Sequence, residues 1–176
     1  NEAIRCIELG TKGFGEVHSD FQNFNINDKK LMEPYMRILE ESNLPIVIHS
    51  SEPVGHIYPG KGSTTPEKLL KIIEYFPKNI FVLSHWGGGL FFYELMPEIA
   101  KSLKNVFYDC SASPLLYDSR IYEIALKIID SKKLLFGSDF PLIDPSRITK
   151  YIDNLEIDKK QLDNIYWKNA KNILSV

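Results

Sequence analysis

The chain has 176 residues, 44% of them apolar and 25% charged, with a formal net charge of −2. That suffices for one good core in one soluble domain, and scattered Lys and Arg leave no basic patch for nucleic acid. No apolar run approaches the ~18 residues of a membrane span, no signal peptide is visible, and Cys6 and Cys110 make no disulfide framework, so a cytoplasmic location is expected.

The first segment, AIRCIELG, reads as the tail of a helix running into a Gly stop. With Asn1 rather than Met in first place, its beginning is expected to lie upstream. Short strands, apolar throughout like parallel strands covered on both sides, are expected near 13–17, 46–50, 80–85, 106–110 and 133–137. Asp28 can cap a helix through about Ser42, with Pro34 in its second turn as a kink or a displaced start. Thr65-Pro66-Glu67 is a cap, a Pro at the first helical position and an early acid, ahead of the stripe Leu69, Ile72, Ile73, Phe76. Residues 90–103 read as a helix interrupted at Pro97. Asp118 precedes Ile121, Ile124, Ala125, Ile128 and Ile129 at helical spacing. Asp144-Pro145 repeats the cap-plus-Pro device before Ile148, Ile152 and Leu155. Asp158 can cap a last helix with the stripe Leu162, Ile165, Ala170, Ile173 and Leu174.

This is a (βα)₅ pattern, and two architectures fit it. An open, doubly wound, flavodoxin-like sheet would be complete with five strands and could be a non-catalytic binding module. A (β/α)₈ TIM barrel would be a five-unit fragment lacking its first three βα units, on the order of 90 residues given the ~250 typical of that fold. In the barrel reading, Val47, Leu83 and Leu135 point inward and both sheet edges are bare, so a second copy of the chain is expected to cover them in a homodimer.

The strand ends carry the chemistry. At intervals of about 30 residues, GFGEV, IVIHS, IFVLSH, VFYDC and LLFGSDFP finish on Glu16, His49, His85, Asp109 and Asp139. C-terminal strand ends share one mouth in an α/β barrel, and catalytic groups sit there. Any one of these residues has a bland reading: a satisfied buried histidine, a tight turn at WGGG, or an acid capping a turn before Pro141. Glu16 and His18 are two apart and could both face the interior or stabilise a turn. Asp109 could belong to a surface loop. Together, two histidines with Asp139 and Glu16 suit Zn²⁺, with Mn²⁺ as the second choice, because imidazole plus carboxylate is a catalytic ligand mix. The long loop SSEPVGHIYPGKGSTTP offers His56, Tyr58 and Lys61 as contacts for a small-molecule substrate. A nucleophile elbow, a P-loop and a dinucleotide fingerprint are all missing from the sequence.

LPIVIHSSEPVGHIYPGKG, VLSHWGGGLFFYELMPE, VFYDCSASPLLYD, LLFGSDFPL and NAKNIL together resemble the C-terminal two-thirds of the amidohydrolase superfamily, in its aminocarboxymuconate-semialdehyde decarboxylase-like branch. The resemblance implies a barrel whose metal is held by an H-x-H pair on the first strand, the fifth-strand His (His49) and the eighth-strand Asp (Asp139). The sixth-strand His (His85) binds metal or holds the attacking water, and a fourth-strand Glu in some relatives corresponds to Glu16. This chain has no H-x-H pair. The implied reaction is hydrolysis of a small amide, ester or lactone by a metal-activated water, with His85 and Asp139 catalytic. Non-oxidative decarboxylation of a small carboxylic acid is the alternative. The whole chain, 1–176, is expected to be one such metal-dependent domain.

Overall fold

A computed structural model describes residues 2–176; the reading of Asn1 lies outside them. Five parallel strands, β1 (Phe14–Val17), β2 (Pro45–Ile48), β3 (Ile80–Leu83), β4 (Val106–Asp109) and β5 (Leu134–Leu135), form one sheet in the order β1-β2-β3-β4-β5. Strictly sequential order decides between the two architectures. A flavodoxin-like sheet runs 2-1-3-4-5 and puts helices on both faces. Sequential right-handed crossovers wind in one sense and put the helices on one face, as in a barrel wall. The flavodoxin-like reading is therefore corrected: the chain is five consecutive units of a (β/α)₈-type wall.

The sheet's two faces differ accordingly. Ile46, Ile48, Phe81, Leu83, Val106, Tyr108 and Leu134 join the main core with the helices. The other face carries a small cluster of Val82, Leu135 and Ile173, with Val47, Ile80, Phe107 and Ala170 packed against it. Leu83, expected inward, thus faces the helices, and its neighbour Val82 takes the inward position. Side chains alternate along a strand, so reading β3 one residue out of phase inverts every assignment on it.

The helices follow local signals. Helix α1 (Glu2–Glu8) is followed by Gly10 at φ 89°. Helix α2 (Lys29–Glu41) is capped by Asp28, which accepts from Leu31 N, and it runs on through Pro34. Helix α3 (Pro66–Tyr75) starts with its Pro. Pro97 opens α4 (Pro97–Ser102) instead of interrupting a longer helix, because a Pro at the first helical position gives up no needed donor. The preceding segment His85–Leu95 is 3₁₀ with five consecutive left-handed residues, His85 to Gly89. A short α5 (Ser113–Leu116) precedes α6 (Ile121–Ile128). Asp144 caps α7 (Pro145–Ile152), and Asp158 with Gln161 forms a capping box on α8 (Lys159–Asp163). A π-turn at Asn164–Lys168 joins α8 to α9 (Asn169–Leu174), whose Ala170 and Ile173 lie on the inward sheet face. Among the described residues, no helix is long and apolar enough to cross a membrane.

Candidate metal centre

Parallel pairing in near-constant register brings the C-terminal ends of β1, β2 and β3 side by side. The register between β1 and β2 shifts between Phe14 and Val17, an irregularity of the kind that re-aims a side chain. Glu16 lies in that stretch, with one carboxylate oxygen 3.2 Å from His49 Nδ1 and 3.5 Å from His85 Nε2. Each of Glu16, His49 and His85 offers a ligand atom, all within 4.8 Å of one another. An imidazole, imidazole and carboxylate set at that spacing fits a divalent transition ion.

Each histidine is fixed from behind by a serine. His49 Nε2 lies 3.2 Å from Ser51 Oγ, which also accepts the Gly62 N–H at 2.9 Å. His85 Nδ1 lies 2.9 Å from Ser111 Oγ and 3.3 Å from the Ser111 carbonyl. The Ser111 hydroxyl donates to Asp109, which also accepts the Ser111 N–H at 2.9 Å and the His85 N–H at 3.0 Å. Asp109, a strand-end acid in the sequence, therefore stands behind His85. These partners direct His85 Nε2 and His49 Nδ1 toward Glu16. Ser51 and Ser111 escaped the sequence reading, since a lone Ser two residues past a strand-end His or Asp has no signature of its own.

Burial alone would raise the Glu16 pKa, but hydrogen bonds from His49, His85 and Ser84 and the His49 charge hold it well below the usual carboxylate range. For His85, burial lowers the pKa, and the Glu16 hydrogen bond with the Asp109 and Glu16 charges outweighs it, giving about 9. In the metal-free site the His85 imidazolium balances the Glu16 carboxylate, and a divalent ion would take its place by displacing that proton.

A cavity of about 470 Å³ opens above this cluster, lined by His49, His85, Asp139, His56 and Tyr58 together with Pro59, Gly60, Ala112, Leu115, Leu116 and Leu142. Asp139 shares that wall at φ 68° and lies outside the three-residue cluster. His56 is exposed at the rim. Tyr58 donates to Glu52 at 3.3 Å; burial and that carboxylate push its phenol up to about 12, so it remains a neutral donor. Lys61 does not line the cavity. Its ammonium group instead binds the carbonyls of Val54 and His56 at 2.6 and 3.2 Å, because a tight loop turns those acceptors inward and the lysine satisfies them.

The family model described as amidohydrolase matches residues 1–176. The chain belongs to the amidohydrolase family. Among curated proteins, none matches it significantly. The amidohydrolase chain is similar in fold to several solved structures. A putative amidohydrolase from Staphylococcus aureus is 20% identical, with TM-score 0.72 over 98% of this chain and 67% of that one. A 5-carboxyvanillate decarboxylase from Novosphingobium aromaticivorans DSM 12444, complexed with manganese and 4-hydroxy-3-methoxy-5-nitrobenzoic acid, is 17% identical, with TM-score 0.70 over 96% and 58%. A dihydroxybenzoic acid decarboxylase from Polaromonas sp. JS666, with bound manganese and the inhibitor 2-nitroresorcinol, is 18% identical, with TM-score 0.63 over 81% and 53%. This amidohydrolase chain thus spans little more than half the length of those two decarboxylases.

Proposed function

We propose that this amidohydrolase chain, as one domain over 1–176, forms the C-terminal part of a metal-dependent, non-oxidative decarboxylase of a small carboxylic acid. The observation that carries the reading is the Glu16, His49 and His85 cluster at the base of a cavity whose other walls are mainly apolar. Both of the manganese-bound neighbours named above are decarboxylases, which favours loss of CO₂ over hydrolysis of an amide, ester or lactone.

Glu16, His49 and His85 would hold the ion, with Asp139 on the same wall as a fourth candidate ligand. Mn²⁺ is preferred over Zn²⁺ on the neighbours' contents. When bound, the ion supplies Lewis acidity toward substrate oxygen atoms. Decarboxylation replaces a C–C bond with a C–H bond, so the carbon that loses CO₂ must take up a proton. With Nε2 given to the ion, the one proton left on His85 lies on Nδ1 toward Ser111, so the incoming proton must arrive from another group or a water on the cavity side. Leu115, Leu116 and Leu142 would seat the apolar body of the acid and exclude water, and Tyr58 and His56 would contact it from the loop.

The test is an assay of the intact enzyme, loaded with Mn²⁺ or Zn²⁺, against hydroxybenzoates and against ester and lactone panels. CO₂ release from an aryl acid is expected. Metal-dependent hydrolysis without CO₂ release would replace this reading with the hydrolytic one.

A further inference from the structure

The loop from Glu52 to Ser63 supplies His56, Tyr58, Pro59 and Gly60 to the cavity or its rim. It is braced internally: Lys61 binds the Val54 and His56 carbonyls, and Tyr58 binds Glu52. Internal bonds fix the loop's own shape, and its placement against the cavity depends on what holds it from outside.

That hold comes largely from the residues following Val17, none of which lines the cavity. Asp20 grips Ser63 with both carboxylate oxygens, taking its N–H at 2.8 Å and its hydroxyl at 2.7 Å. Ser19 Oγ meets Thr64 Oγ1 at 3.0 Å, and both residues are buried. His18 Nε2 lies 3.2 Å from the Gly60 carbonyl, while its ring stacks on His49 with centroids 4.0 Å apart. The packing at Gly62 is close: a Cβ there would lie 2.8 Å from Asp20 Oδ2 and 2.9 Å from His18 Cε1. The same Gly62 N–H binds Ser51, the serine behind His49.

We propose that His18, Ser19 and Asp20 form a clamp that positions the substrate loop against His49, making Asp20 and Gly62 determinants of how tightly the acid is held. Charge on Asp20 strengthens the grip, since a carboxylate accepts more strongly than a neutral oxygen. The inference rests on the cavity being the substrate site, and its test has an arm that does not.

In the intact protein, Asp20→Ala should raise the rate of proteinase K cleavage within residues 52–60 about tenfold or more, as expected on losing two charge-assisted hydrogen bonds. Val54 and Ile57 are 74% and 92% exposed, so the loop is already within reach of protease. Bound Mn²⁺ per chain and the melting temperature should stay at wild-type values. For an aryl acid that the enzyme decarboxylates, KM should rise about tenfold with kcat within about twofold, the pattern of lost uniform binding. Asp20→Asn should recover part of both effects. Gly62→Ala should reproduce them with every clamp side chain intact. Wild-type cleavage and KM in both Asp20→Ala and Gly62→Ala would overturn the clamp, as would faster cleavage at unchanged KM. A wild-type protein that binds no Mn²⁺ and releases no CO₂ would instead overturn the decarboxylase reading, while the cleavage arm still tests the clamp.

Discussion

His49 and His85 look alike at first: each follows an apolar strand, each is at least 93% buried, and each turns one ring nitrogen toward Glu16. They differ in what stands behind them. His85 rests on Ser111, which rests on Asp109, so a charge in the sheet reaches it through one hydroxyl. His49 rests on Ser51, a neutral group whose other bond goes to Gly62 in the loop that walls the cavity. One imidazole is tied to the sheet and the other to the cavity loop. The pair therefore divides the work: the His85 side keeps the site's geometry, and the His49 side can register whether the loop is in place.

The contrast can be tested by breaking its parts in turn. Glu16→Gln removes the negative charge that both rings share, and should cost more in metal affinity and turnover than the ~10–100-fold typical of outer-shell changes. Metal content by mass spectrometry and kcat report it. Ser111→Ala should fall within that ~10–100-fold range, mainly in kcat, because it frees His85 while leaving the loop untouched. Ser51→Ala should cost less in kcat and more in KM, since Gly62 loses its acceptor as well; equal kcat and KM profiles for the two serine variants would erase the distinction. The double variant measures how far the two sides are linked: both rings share Glu16, so the two serine changes should depart from additivity by more than ~0.5 kcal/mol. The smallest effect is a control. Asp28→Ala removes the α2 cap, far in sequence from either ring, and should lower stability by about 1 kcal/mol with kcat and KM unchanged.

What the sequence made legible was local. Caps at Asp28, Asp144 and Asp158 announce themselves through residue type and a neighbour one to three positions on, and the structure has each of those side chains accepting a backbone N–H. Strand positions follow from apolar runs, and the strand-end Glu and His residues follow from those. What stayed hidden depends on register and on distance along the chain. Ser111 meets His85 across 26 positions and Asp20 meets Ser63 across 43, and neither pairing leaves a pattern in either segment. Leu83 and Val82 exchanged faces because a strand's phase is set by where pairing begins. Lys61 looked like a substrate contact by its place in the loop; the carbonyls that take its protons come together only when the loop has folded.

The left-handed run from His85 to Gly89 has a consequence for metal choice. A Cβ on Gly88 would run into the Ser51 carbonyl, so the backbones after β2 and β3 touch without side chains between them. The separation of the backbones behind the two imidazoles is thus set by main-chain contact. Glu16 sits differently, on an edge strand with a side chain 37% exposed. Exchange of one divalent ion for a larger or smaller one would be absorbed by the glutamate, the one arm of a three-armed caliper that can still open.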